Sequence, residues 1–500
     1  MLKKVAAILI VLFLGIGFSL PLKQLYFGND NWLSSDNLHQ KNIDYLESEF
    51  ESDEDLLLVI ELEKSFFHPK TIETLGTLSD RLRTLPNLKE IKSPLDSMEI
   101  FREGDILHVE SFQKAIKQKH LPNTAAYQTH FVKSDYMGRL LSKDFKTVAL
   151  LLKLEENNKR NEFSARTLSI QKTKDIMKEF PLFKSYFFCG NIFLLYQMDS
   201  KTQKNLQLIL PLLILFIAIV LWFLFHSFLK MLFVLIPTLL TLMGTGAVIS
   251  LLGNPLTIIN IILPILILVI AIADTVHIIS RWEHLSIEEK KADQIITQTI
   301  RQTWLPCFIT SVTTAIGFGS FYVSNLIPLK NFGLESFIVI ILSFVLIVGV
   351  SWLLLYAFQD MLLKWDPFTQ KKKKKMTLGS QHLYPLAKKY KTPIIVLSTI
   401  LFFFFANALQ HFRTETSFLD VFFKPKSAIQ QNFKKVDQRL SGSGGLDILI
   451  KSNQKDGFKT ASLFNQVLTL ETKIEKIPTV YDVQSYINPI KMAHREFKTD

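Results

Sequence analysis

With 500 residues, 48% of them hydrophobic, 41 phenylalanines and a mean hydropathy of +0.23, the chain is too apolar for an ordinary soluble protein. Two cysteines, Cys189 and Cys307, exclude a disulfide framework. The net charge of +12 is placed largely beside apolar runs, which speaks against a nucleic-acid partner.

Stretches of about 20 nearly uncharged residues, the length that crosses a bilayer core, fall at 5–22, 206–225, 231–252, 255–280, 303–323, 335–358 and 393–409. Seven candidate spans make the chain a polytopic α-helical membrane protein. Residues 1–22 form the first span. MLKK before an apolar run also opens a signal peptide, but no small-x-small cleavage site follows GFSLPLKQ, so the helix reads as uncleaved. Residues 23–205 alternate β-like runs (LLLVIEL at 56–62, TVALLLKL at 147–154) with helix-like ones such as 160–179, which predicts an α+β domain. Residues 206–362 hold five spans, with an amphipathic stretch at about 283–301 that reads either as a helix along the membrane face or as a solvated linker helix. A basic linker at 363–391, a seventh span at 392–410 and a second domain-like segment at 411–500 complete the order.

Short-loop charge orients these spans. Lys3, Lys4, Lys230, Arg281, Lys290, Lys291, Arg301, Lys364, the lysine run 371–375, Lys388, Lys389 and Lys391 all fall on one side if the spans alternate. That side is expected to be the cytoplasm, with the N-terminus on it. The opposite short loops, 253–255 and 324–331, carry one lysine between them. The segments 23–205 and 411–500 are therefore expected to face outward. The lysine run reads as an orientation anchor that meets anionic lipid.

The chain also repeats itself. RLRTLPNLKEIKSPLDSMEIFREGD at 81–105 is echoed by KIEKIPTVYDVQSYINPIKMAHREFKTD at 473–500. Leu85-Pro86 aligns with Ile477-Pro478, and Ile91-Lys92-Ser93 with Val483-Gln484-Ser485. Upstream, LLLVI at 56–60 pairs with LDILI at 446–450, which is expected as a strand entered through the GSGG turn at 442–445. The pattern is an internal duplication whose second copy is incomplete, so the chain reads as the N-terminal portion of a longer protein.

One stretch places ionisable groups in hydrocarbon. AIADTVHIISRW at 271–282 puts Asp274 at the end of the fourth apolar run, with His277 at i+3 and Arg281 at i+7 on the same helical face. An acidic residue within a span costs about 2.5–3.5 kcal/mol on insertion scales and marks a functional site by default. A carboxyl there can load and release a proton; the bland alternative is a helix-end aspartate paired with Arg281. His277 can relay a proton or simply pack. In the fifth span Thr310, Thr313, Thr314 and Gly317 recur at i, i+3, i+4 and i+7. Such a face either lets helices approach closely, above all at Gly317, or brings a threonine hydroxyl to Asp274.

The plan of one span, a large outward domain, five spans and the same again resembles the resistance–nodulation–division (RND) superfamily. ILVIAIADTVHIISRW (267–282) resembles that family's fourth helix, whose acidic residue binds the coupling ion. TSVTTAIGFGSFYVSNLIPLKNFGL (310–334) resembles its fifth helix and the loop ending in FGL. The short outward domain and the single Asp274 resemble the branch of mycobacterial large-membrane-protein (MMPL) and hopanoid exporters. That resemblance implies a secondary active transporter, not an enzyme, that uses the proton gradient through Asp274, with His277, Thr310, Thr313 and Thr314 as relay candidates, to export lipid-like or other hydrophobic substrates. It further implies a bacterial inner-membrane location, a homo-oligomer (dimer or trimer) and a periplasmic partner. The branch is related to sterol-sensing proteins, so a lipid or sterol receptor without transport is the alternative, and a protein-translocation accessory stands behind it. There is no P-loop, no metal-ligand spacing, no nucleophile–base set and no cofactor motif.

Overall fold

The computed structural model describes residues 2–22, 32–50, 55–103, 106–118, 124–132, 136–155, 162–286, 292–364, 385–386, 388–409, 417–440, 442, 444–478 and 480–498. The lysine run 371–375 lies outside them. In chain order the elements begin with α1 (Leu2–Leu22), α2 (Leu38–Phe50), β1 (Asp55–Glu61), α3 (Pro69–Leu82) and β2 (Leu88–Lys92). There follow β3 (Met98–Glu103), β4 (Ile106–Ser111), α4 (Phe112–Gln118), α5 (Thr124–Phe131), β5 (Thr147–Leu154), α6 (Glu162–Lys178) and β6 (Ser185–Cys189). The long helices are α7 (Asn191–Phe225), α8 (Phe228–Leu251), α9 (Ile262–Ser286), α10 (Ala292–Gly319), α11 (Ile327–Lys364) and the helix Lys391–Ala408. Four shorter helices, Phe418–Phe422, Ala428–Arg439, Ala461–Ile474 and Ile487–Lys498, close the order. The chain divides into two compact units, Met1–Gln40 with Asp199–Glu415, and Lys41–Met198 with Thr416–Asp500.

The unit Lys41–Met198 with Thr416–Asp500 is built on a four-stranded antiparallel sheet in the order β2-β5-β1-β6. The runs LLLVIEL and TVALLLKL supply β1 and β5, paired with Leu58 opposite Leu150 and Ile60 opposite Val148. Leu56, Leu58, Val59, Ile60, Val148, Ala149, Leu150 and Leu152 are fully buried, as aliphatic central strands covered on both faces require. Helix α3 starts at Pro69, whose missing N–H costs nothing in the first turn. It turns Leu75, Leu78 and Leu82 inward. β1–α3–β2 and β5–α6–β6 each place a strand of the other between their own two, the interlocked split β-α-β arrangement.

The second half of the sequence repeat behaves differently. LDILI at 446–450 is not a strand: residues 444–450 carry no ladder, with Leu446 87% and Ile448 53% exposed. Residues 480–485, the counterpart of β2, likewise form none. A ladder needs a partner: β1 and β2 do not touch, and each is hydrogen-bonded to β5 between them. Residues 446–450 and 480–485 have strand composition, but among the described residues no segment pairs with either. Between the two runs lies an open groove of about 890 Å³, walled by Ile448, Ile450, Val467, Leu470 and Tyr481.

In the other unit, and counting α7, seven helices among the described residues are long and apolar enough to cross a membrane: α1, α7, α8, α9, α10, α11 and Lys391–Ala408. Helix α8 packs on α1, α9 and α11, and α10 packs on α9 and α11. The expected amphipathic helix over 283–301 is instead divided, because α9 runs on to Ser286 and α10 is already helical at Ala292. Trp282, Leu285, Ile295 and Ile296 explain this: all four are buried in one apolar cluster with Phe233, Ile278 and Leu355, which holds both ends of the stretch in the bundle. The fourth span starts late, at Ile262 rather than Pro255. Asn260 Oδ1 accepts the Thr257 backbone N–H at 2.7 Å and holds 255–261 in a turn. Lys230, expected in a cytoplasmic turn, lies in the first turn of α8, 1% exposed, with Nζ 3.0 Å from Glu283 Oε1.

Candidate functional site

Asp274 stands at the midpoint of α9, twelve residues from either end, so it is not a helix-end residue. The buried stripe of that helix reads Ile267, Ala271, Asp274, Ile278, Trp282 and Leu285, a three-four spacing in which the carboxylate takes a core position. It is 7% exposed, and its Oδ2 has no hydrogen-bond partner among the described residues. Burying a carboxylate without full compensation is costly, so a fold keeps one at such a position for a purpose other than stability.

Its neighbour across the helix contact is Cys307 of α10, whose thiol lies beside the Asp274 carboxylate. Cys307 is 4% exposed. The buried face of α10 is the run Thr299, Thr303, Cys307, Ser311 and Ala315, one small residue every four. Ser311 Oγ on that face is buried without a hydrogen-bond partner among the described residues. On α8, Thr238, Thr241 and Thr245 are buried, each hydroxyl donating to a carbonyl of its own helix.

The other sequence candidates lie elsewhere. Thr310 and Thr313 are exposed and Thr314 half-buried; all three hydroxyls donate to α10's own carbonyls, Thr314 Oγ1 to Thr310 O at 2.6 Å. None donates to Asp274. Gly317 is exposed, and a Cβ there would meet nothing within 4 Å, so the close approach expected at this glycine is absent. The approach occurs at Gly333, in the FGL element, where a Cβ would lie 2.6 Å from the Tyr322 nitrogen. His277 is exposed, three residues along α9 from Asp274. Arg281 does not pair with Asp274; its Nε donates to Gln302 Oε1 of α10. Cys307 and Ser311 were missed because the TTxxG face, one step around the same helix, is richer in hydroxyls. The period-four run of small residues was the signal that marks the packed face.

Among the described residues no group of His, Cys, Asp and Glu could hold a metal ion. In the unit Lys41–Met198 with Thr416–Asp500, a cavity of about 1110 Å³ is bounded by Leu57, Leu151, Ile100 and Val109 on its apolar side and by Lys92 and Lys153 on its charged side.

Residues 206–351 match the family model described as Patched SSD, a sterol-sensing domain in the RND-related family. The match covers under a third of the chain. It takes in α8, α9 and α10 with Asp274 and Cys307, and parts of α7 and α11. No curated protein matches the chain.

Proposed function

We infer that the chain works within a membrane on lipid or sterol: seven of its described helices are long and apolar enough to cross one, and residues 206–351 are similar to a sterol-sensing domain. We propose that it is a proton-coupled transporter that moves lipid-like or sterol-like molecules out of the membrane, of the RND type and closest in character to the MMPL-like exporters. The observation that carries this reading is Asp274: a carboxylate at a core position in mid-helix, with Oδ2 unpartnered among the described residues and the Cys307 thiol beside it. Loading a proton removes the buried charge; releasing it restores the charge. The two states differ in how well α9 packs against α8, α10 and α11, and that difference is what coupling needs. The charge bias of the short loops supports a cytoplasmic N-terminus in a bacterial inner membrane, with the α+β unit outside, where a periplasmic partner and a second or third copy would meet it. The chain carries no catalytic set in this reading.

The Patched SSD match favours a second reading, a lipid or sterol sensor that binds without transporting. Proteoliposomes loaded with a fluorescent sterol or lipid, under an imposed pH gradient, separate the two. Transport driven by the gradient and abolished in Asp274→Asn, with the variant folded and inserted, is the expected result. Undiminished gradient-driven transport by Asp274→Asn overturns the coupling role. Sterol photo-crosslinking with no gradient dependence in the unmodified protein establishes the sensor instead.

A further inference from the structure

The bundle contains a second buried carboxyl, remote from Asp274. Glu335, in α11, is 0% exposed, and its two oxygens are held separately. Asn254 Nδ2 donates to Oε1 at 2.9 Å, and Asn260 Nδ2 donates to Oε2 at 3.2 Å. The two amides are not equivalent. Asn260 Oδ1 is occupied by the Thr257 backbone N–H at 2.7 Å, and its Nδ2 also donates to the Pro255 carbonyl at 2.9 Å. That amide is pinned as a donor and cannot turn to accept. Asn254 is half-buried, in the turn after α8, and Glu335 is its one side-chain partner among the described residues. A half-turn of its amide presents Oδ1 in place of Nδ2.

Among the described residues no charged side chain pairs with Glu335. At this end of the bundle α8, α9, α10 and α11 contribute Ile249, Leu263, Ile267, Ala315, Phe332 and Val339, all apolar. Lys330, five residues earlier on α11, is engaged over the Tyr322 ring, 5.1 Å from its centroid. A fully buried carboxyl among amides and hydrocarbon is costly as an anion and is a functional group by default. Along α9, Asp274 lies twelve residues beyond Ile262, about 18 Å of helix rise. Glu335, held by Asn260 just before that helix, is thus a separate site.

We propose that Glu335 is a proton-binding site at the end of the bundle that carries the 253–261 turn, with the proton borne on Oε1 and matched by a half-turn of the Asn254 amide. On protonation Oε1 changes from acceptor to donor: the Asn254 Nδ2–Oε1 bond breaks, and the new O–H donates to Asn254 Oδ1. Oε2 keeps its bond from Asn260 throughout. The charge bias puts this end on the non-cytoplasmic side. As the entry point of a proton-coupled cycle the site rests on the reading of Asp274 given above; as a proton-binding site it does not.

A hydrophobic carbodiimide adds to protonated carboxyls in apolar surroundings, so the full chain in liposomes can be labelled with one and mapped by peptide mass spectrometry. The expected result is an adduct on Glu335 that falls about tenfold or more when the pH is raised on the side of the 253–261 turn, and does not change when only the opposite side is raised. No adduct at any pH, while Asp274 is labelled, overturns the site. An adduct indifferent to which side is titrated overturns it too. Asn254→Ala keeps the acid and removes the partner that turns, and is expected to shift the pH at which labelling falls; an unshifted profile refutes the Asn254 step. If Glu335→Gln, shown folded, keeps full gradient-driven transport while Asp274→Asn loses it, the entry role fails and the Asp274 reading stands. If Asp274→Asn transports normally, that reading fails whatever Glu335 does.

Discussion

Two glycines in the TTAIGF…FGL stretch are predicted to respond oppositely to alanine. At Gly333 an added Cβ would sit 2.6 Å from the Tyr322 nitrogen and 2.9 Å from the Phe321 carbonyl carbon. These are backbone atoms of the turn 320–323 and cannot rotate away. Overpacking by one methyl costs about 1–3 kcal/mol, and a backbone clash belongs at the upper end. Alanine in a helix interior returns about 0.8–1 kcal/mol over glycine, so Gly333→Ala is expected to destabilise by about 2 kcal/mol. At Gly317 nothing lies within 4 Å, so only the propensity gain remains, and Gly317→Ala is expected to stabilise by up to about 1 kcal/mol. Thermal unfolding of the purified protein in detergent, followed by circular dichroism, compares the two on one scale. A Gly333→Ala protein that melts at or above the unmodified protein refutes the close approach of α11 to the turn. A Gly317→Ala protein that melts several degrees lower refutes the assignment of that glycine to the open face of α10.

Two further outcomes test other parts of the structure. Cys307→Ala removes the polar group beside Asp274, and a hydrogen bond that such a group offers to a charged carboxylate contributes about 1.5–3 kcal/mol. Gradient-driven flux is therefore expected to fall about tenfold in Cys307→Ala and to be largely kept in Cys307→Ser; equal loss in both would assign Cys307 to packing alone. Glu61, at the rim of the sheet, is held below the usual carboxylate range, first by the Ser185 hydroxyl that donates to it and then by Lys435 and Arg439. A depressed carboxylate contributes stability that is present above its unfolded value and lost as pH falls through the folded one. Melting temperature is expected to drop on acidification below about pH 4.3, and this drop should be smaller in Glu61→Gln. Parallel acid profiles for the two proteins would remove Glu61 from the account.

What the sequence alone determined is local. A run of about 20 apolar residues is a membrane-length helix wherever it sits, because its backbone must be satisfied within itself. TVALLLKL reads as a strand from its short run of aliphatic and β-branched residues, and an aspartate at position 274 is conspicuous from hydropathy alone. What only the tertiary structure decided is which atoms from distant parts of the chain meet. On α10 the faces Thr310–Thr313–Thr314–Gly317 and Thr303–Cys307–Ser311–Ala315 are both rows of small residues, and nothing within the helix says which one packs; contact with α9 selects the second and brings a thiol, not a hydroxyl, to Asp274. LDILI has the composition of β1 but forms no strand, since a ladder is a property of two segments and not of one. Glu335 passed unnoticed beside the FGL element because the amides that hold it come from a turn 75 and 81 residues earlier in the chain. Hydrophobic period is encoded along a segment, whereas the pairing of buried polar atoms exists only once the segments have packed.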